Sequence, residues 1–252
     1  MNQVKQPNIL MIMTDQQRFD SLGCYGFSAA NTPNLDQLAR DGVLYENCYV
    51  NSTVCTPSRA SLFTGMPLPG HGVYRLHDIL SDKDELFTAK LQRKGYETAL
   101  IGKLHVSARA YEAEQRHPGD GFDRYEYCVD PYLDLDSPLN SYAVWLKEDH
   151  PDFYQKLNRE KRKLGNFPQD VHVARWTANR TIDYLETRNK DVPFFCLMSF
   201  YDPYDPYLDY PIEMEQKVDF HAISGPENIP SDMASKPVGI QREHKMSYEG
   251  TL

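Results

Sequence analysis

Apolar positions along this 252-residue chain come in short blocks, each bounded by proline, glycine or an acidic residue. Residues 8–14 lie between Pro7 and Asp15 and predict a buried strand that ends on a polar side chain. Thr32 and Pro33 supply an N-cap and a first-turn proline for a short helix that Gly42 closes. Residues 43–50 predict a second strand, and Thr56-Pro57 repeats the cap signal for a helix through Phe63 that ends at Gly65. A helix is predicted over 82–94, capped by Ser81 and stopped by Gly95, then a strand over 97–101 ending in Gly102. From residue 107 to about 170 the periodicity dissolves into Tyr, Asp and Pro, and only 142–147 and 152–163 look helical. Long irregular segments of this kind often line a site. Val171, Ala174, Ala178, Ile182 and Leu185 then mark one apolar helix face, followed by a continuous apolar strand over 192–200.

Alternating strands and helices with apolar strands predict an α/β fold, a mostly parallel central sheet with helices on both faces. Chemistry in such folds sits beyond the carboxyl ends of the strands, where Asp15, Lys103 with His105, and Asp202 all fall. A net charge of −9 gives no pull toward nucleic acid or anionic lipid. The longest apolar runs, 9–13 and 194–198, are too short to span a membrane, and no secretory signal pattern opens the chain. Five widely spaced cysteines make neither a disulfide framework nor a zinc cluster, so reduced thiols and a cytoplasmic location are expected. The basic run from Lys156 to Lys163 reads as a solvated helix face.

The sharpest local feature is Cys55-Thr-Pro-Ser-Arg59, followed by Ala-Ser-Leu-Phe-Thr-Gly65. Cys55 stands at a helix N-terminus, where free N–H groups and the dipole favour an anion and lower a thiol's pKa. Arg59 is four residues on, within reach of the same anion. Taken alone, the pair fits a packed thiol and a surface ion pair as well. Asp15 taken alone is equally a loop acid or helix cap. His71, His77 and His172 read as structural or surface residues.

The motif around Cys55 resembles the signature of the sulfatase family, and other blocks in the expected order share the likeness: residues 7–15, Leu22-Gly-Cys-Tyr-Gly26, Thr32-Pro-Asn-Leu-Asp36 and Gly102-Lys-Leu-His105. The likeness covers at least residues 7–105 and is expected to reach Tyr207; Asp15-Gln-Gln-Arg18 is similar to the bacterial arylsulfatase and phosphonate monoester hydrolase branch. It implies an alkaline-phosphatase-like fold and a sulfuric ester hydrolase in which a maturation enzyme oxidises Cys55 to formylglycine. By position Asp15 becomes a ligand of a divalent cation, Ca²⁺ foremost with Mg²⁺ or Mn²⁺ as alternatives, joined by residue 55 and at most a carbonyl oxygen from Gln16. Lys103 is expected to hold the sulfate, Arg59 to neutralise developing charge and His105, titrating near neutral pH, to take a proton. Tyr204 stands where family members often carry a substrate-contacting His. The implied partners are a small sulfated substrate and the maturation enzyme, with homo-oligomerisation left open and neither nucleic acid nor membrane expected.

Two rivals share these residues: a phosphonate monoester or phosphodiester hydrolase with the same nucleophile, and an inactive truncated anion-binding fragment. The second arises from length. Sulfatases continue beyond a chain of this size, adding an acid pair that completes the metal site, and no Asp-His-Gly-like block occurs after Asp202. The expected organisation is therefore an N-terminal part of a sulfatase catalytic domain over 1–210, with a site-lining insertion at 107–170, and a tail over 211–252 leading to a missing C-terminal part.

Overall fold

The computed structural model describes residues 6–164, 166–205, 207, 210–223 and 230–244. Its strands are β1 (Ile9–Met13), β2 (Glu97–Gly102), β3 (Arg124–Tyr127) and β4 (Phe194–Ser199). Its helices are α1 (Pro33–Asp41), α2 (Cys55–Thr64), α3 (Leu68–His71), α4 (Phe87–Arg93), α5 (Arg109–Glu112), α6 (Ser141–Asp149), α7 (Pro151–Glu160), α8 (Val173–Thr187) and α9 (Val238–His244). The strands run in the order β1-β4-β2-β3, every pairing parallel, as the apolar strand pattern requires.

Side chains that alternate along each strand feed two separate cores. Leu100, Phe195 and Leu197 point to one face, where Ala60 and Phe63 of α2 join them. There Phe87 of α4 stacks on Phe63 at 5.5 Å and meets Phe195 edge-on at 5.3 Å. Ala99, Ile101, Phe194 and Cys196 point to the other face, covered by Tyr184 of α8. Helices therefore lie on both faces, as expected. A third cluster joins α6, α7 and the start of α8 around Tyr142, Leu146 and Trp176, and it reaches Tyr201 just beyond β4.

Several expectations fail for identifiable reasons. Residues 43–50 form no strand: no described strand pairs with them, and Val43, Tyr45, Tyr49 and Val50 are exposed. β1 is buried on one face only, Leu10 and Ile12 being 41% and 53% exposed, because α8 covers β2 and β4 but not this edge strand. In α8 the buried stripe is Val173, Trp176, Thr177, Thr181 and Tyr184, not the predicted one. Ile182 is 52% exposed, and Tyr184 meets the sheet instead. The helix predicted over 82–94 begins only at Phe87, because the Leu86 N–H is drawn off to the Gly119 carbonyl at 3.0 Å. The stretch 107–170 carries α5 and β3 as well as α6 and α7, so it is more regular than its pattern suggested. Of the expected tail, 211–223 and 230–244 hold 3₁₀ turns and α9, while residues 245–252 lie outside the described residues.

Gly102 closes β2 with φ +103°, and a Cβ there would stand 1.9 Å from the Ser199 carbonyl oxygen. That close approach lets the Lys103 N–H donate to Ser199 O at 3.0 Å, which aims the next side chain. Gly102→Ala is expected to cost about 3 kcal/mol or more, read as a lowered urea midpoint with unchanged slope.

Candidate active site

Three strands end side by side at one edge of the sheet, and a single carboxylate lies across their ends. Asp15, just past β1, is buried, and its Oδ2 receives Arg59 Nη2 at 3.0 Å and Lys103 Nζ at 2.8 Å. Arg59 comes from α2 and is itself 5% exposed. Its Nη1 donates to the carbonyls of Lys103 (2.7 Å) and Leu104 (3.2 Å) and to Ser199 Oγ (3.1 Å). Burial lowers the Arg59 pKa while Asp15 opposes the shift, and the guanidinium stays charged. The guanidinium is thus turned toward Asp15 and the loop after β2. It clamps the site together, a different task from the direct charge neutralisation expected of it.

Cys55 is a half-buried free thiol and the first residue of α2, with extended Val54 as the cap. The helix starts slightly earlier than Thr56-Pro57 suggested, so the first-turn N–H groups surround residue 55 itself. Thr56 acts elsewhere: its Oγ1 pairs with His105 Nε2 at 3.1 Å. His105 adopts the left-handed φ of +59°, and its Nδ1 is buried without a partner among the described residues. Burial, then the charges of Lys103, Arg59 and Arg109, push its pKa down to about 2. The expected titration near neutral pH is therefore not met; the ring is neutral there.

Tyr204 lies with its ring 4.7 Å from Lys103 Nζ, and Tyr201 offers a second face at 5.5 Å. Burial first, then Cys55 and nearby acids, raise the Tyr204 phenol, which stays a neutral donor. Lys103, His105, Tyr201 and Tyr204 line a cavity of about 220 Å³ together with His77, Arg109 and Arg162. His77, expected at the surface or in a structural role, thus borders the site. Arg162 belongs to the basic run but leaves it to pair with Asp130 at 2.6 Å. His71 is structural as expected, bonded to Ser61 Oγ and the Val73 N–H.

Gln16 does not turn toward Asp15. It is exposed at φ +59°, and its amide donates to the Tyr207 hydroxyl at 3.1 Å. A hard divalent cation takes six to eight oxygen ligands, whereas this site offers one carboxylate with one oxygen already holding two cations. Among the described residues no group of three His, Cys, Asp or Glu converges on a metal position. These residues alone do not make the metal site.

The charges around the cavity are informative as they stand. Arg59 and Lys103 both meet the one carboxylate of Asp15, His105 is neutral, and Glu112 faces the same loop from behind.

Residues 7–226 match the family model described as Sulfatase. The chain belongs to the sulfatase family. It is 31% identical over 246 residues to the arylsulfatase of Clostridium perfringens, covering 92% of this chain and 50% of that protein. It is 27% identical over 252 residues to the N-acetylglucosamine-6-O-sulfatase of Bacteroides thetaiotaomicron, covering 99% and 40%. The phosphonate monoester hydrolase of Agrobacterium radiobacter shares the fold, with a TM-score of 0.69 at 23% identity over 91% of this chain and 48% of that one. This sulfatase therefore spans about half the length of the curated relatives it matches. Among the described residues no helix is long and apolar enough to cross a membrane.

Thr56, Ser199, Tyr201 and Glu112 were not singled out by the sequence of this sulfatase. Ser199 and Tyr201 had a usable signal, their place at the end of a strong strand. In the sequence Thr56 reads as a helix cap. Glu112 had none: it is buried and bonds backbone N–H groups five to seven residues away. Burial lifts its pKa to about 7 against four hydrogen bonds that lower it.

These two shifted groups set opposing pH dependences. Between its ordinary 6.5 and about 2, His105 is protonated only when unfolded, so acidification below 6.5 removes stability. Between 4.5 and about 7, Glu112 is protonated only when folded, so acidification through that window adds stability. The two offset each other from about 6.5 to 4.5. Relative to the parent, His105→Gln should gain about 1.4 kcal/mol per pH unit as pH falls below 6.5, measured by urea unfolding at a series of pH values.

Proposed function

We propose that this sulfatase hydrolyses small sulfuric esters through residue 55. The observation that carries the reading is the convergence of Arg59 and Lys103 on Asp15, with Arg59 on the helix whose first residue is Cys55. When residue 55 is matured to formylglycine, its aldehyde hydrate supplies both the nucleophilic hydroxyl and a second hydroxyl whose deprotonation releases sulfate. Lys103 binds the tetrahedral anion as a point charge, with Tyr201 and Tyr204 at its back. Arg59 keeps Asp15 and the loop after β2 in register and adds its charge to the field on the anion. The Tyr204 hydroxyl donates to the departing ester oxygen, a role that needs no ionisation.

His105 takes the proton of the second hydroxyl. Free, it is a weak base because burial first, and then Lys103 and Arg59, oppose its charging. A sulfate anion at Lys103 offsets the cations' part of that shift and so raises basicity at the stage where it is needed. The divalent cation of sulfatases, Ca²⁺ in our reading, requires donors beyond the described residues; Asp15 is the one carboxylate offered here, and no step above runs through the metal. A cytoplasmic location and a maturation enzyme as partner belong to the same proposal, the first resting on cysteine usage.

The test is the full chain coexpressed with a formylglycine-generating enzyme. Mass spectrometry of the peptide containing residue 55 should show the aldehyde in place of the thiol. With 4-nitrophenyl sulfate, Cys55→Ala should lower turnover by about a thousandfold or more while the fold persists. Sulfatase turnover retained in cleanly purified Cys55→Ala protein sinks the assignment. Faster turnover of a phenyl phosphonate ester moves it to the phosphonate and phosphodiester reading, and a residue 55 that remains a thiol favours an anion-binding fragment.

A further inference from the structure

The loop from Lys103 to Ser107 carries two residues of the site, yet it has no regular structure and one residue in a costly backbone conformation. His105 at φ +59° has no glycine's freedom, and its own Nδ1 contributes no bond to hold it. The strain is stabilised from behind. Glu112, 1% exposed, accepts the His105 N–H at 3.0 Å on one carboxylate oxygen. The Val106 and Ser107 N–H groups reach the other oxygen at 2.7 and 2.9 Å. Three successive N–H groups converge on one anion only when a residue of the turn is left-handed, which is the conformation His105 adopts. The Tyr127 hydroxyl at the end of β3 supplies a fourth bond, at 2.9 Å. Among the described residues no cation lies within ion-pair distance of this carboxylate, so its charge is answered by the loop's N–H groups and one phenol.

The opposite side of the loop is held by the opposite charge. Arg59 takes the carbonyls of Lys103 and Leu104, while Glu112 takes the amides of the next three residues. A buried cation and a buried anion thus grip one five-residue turn by its two kinds of backbone group. The cation fixes the half that carries Lys103, and the anion fixes the half that carries His105.

We propose that Glu112 is a positioning residue of the active site: its carboxylate holds the loop in the left-handed turn that aims the His105 imidazole at Thr56 and the cavity. The assignment rests on the reading of His105 as the proton acceptor only for its consequence in turnover; the geometric part stands apart from it.

The test uses the full chain labelled with ¹⁵N-histidine, comparing the parent with Glu112→Gln, Glu112→Asp and Tyr127→Phe at about pH 8.5, above the Glu112 pKa of about 7. In the parent, the His105 ring nitrogens should report one fixed neutral tautomer. In Glu112→Gln an amide NH₂ faces backbone N–H groups, and the ring signals should move toward the averaged shifts of a free imidazole. Glu112→Asp keeps the charge with a shorter arm and should give an intermediate shift, which also serves if the Gln variant does not fold. Tyr127→Phe removes the one bond that does not come from the loop and should leave the His105 signals in place. In matured protein, Glu112→Gln should lower kcat about 10- to 100-fold with KM within about threefold, since Lys103 is still held by Arg59 and Asp15. Unchanged His105 signals in a folded Glu112→Gln or Glu112→Asp protein overturn the proposal. So does an equal displacement in Tyr127→Phe. A parent that shows no turnover of sulfate esters defeats the functional reading instead, and the nitrogen shifts still decide the role of Glu112.

Discussion

One carboxylate oxygen, Asp15 Oδ2, is the point on which this site depends. It follows β1, and the two cations it holds arrive from α2 and from the end of β2. Taking three charges out of water costs several kcal/mol per ion, and only close mutual pairing offsets that cost. The parallel order β1-β4-β2 makes the pairing feasible, because it sets the carboxyl ends of β1 and β2 on either side of β4. The Ser199 carbonyl and hydroxyl at the end of β4 then bond to Lys103 and Arg59 in the gap. The apolar sheet and the charged cluster are thus one construction, since a register slip in β4 would unpair the site as well as the core.

Compensation of charge explains why the cluster tolerates burial. Beside its pairing with Asp15, Lys103 lies against two tyrosine faces, whose π-systems solvate it partly. Lys103 is thereby stable enough to remain buried. Burial first, and then the same cations, keep His105 neutral.

How much of this was legible in the sequence follows from the range of the forces involved. The strands at 97–101 and 192–200 were readable because a strand covered on both faces must be apolar throughout. The one at 8–14 was readable because its run is equally apolar, although its outer face is exposed. The residues at their ends identified the site edge. Asp15, Lys103 and His105 were found in that way, and Cys55 with Arg59 by a compact motif at a helix start. Residues 43–50 misled because an apolar stretch without a ladder partner has the same composition as a strand. The face of α8 misled because Thr177 and Thr181 pack their methyl groups and return their hydroxyls to the preceding turn, which makes polar residues behave as core. Glu112 was invisible because its partners are backbone N–H groups, and a sequence records no backbone geometry. β3 was missed because Arg124-Tyr-Glu-Tyr127 is polar every second residue, and its outer side is answered by ion pairs from Arg124 and Arg180 to Glu126.

The described residues complete some parts of the site and leave others open, and the division has a physical sense. The cluster around Asp15 draws on the ends of three strands, α2 and the loop braced by Glu112, and all lie within the described residues. The cation of sulfatases needs several more oxygen donors than Asp15 provides. Apolar cover is likewise unfinished on the outer face of β1, where Leu10 and Ile12 meet solvent, and over Val43, Tyr45 and Tyr49. This sulfatase spans about half the length of its relatives. Charge pairing acts at contact distance and is settled within a few segments, whereas apolar burial is a sum over area that grows with the size of the fold. The buried cluster at the strand ends can therefore keep its geometry through local pairing even where apolar cover over β1 is thin.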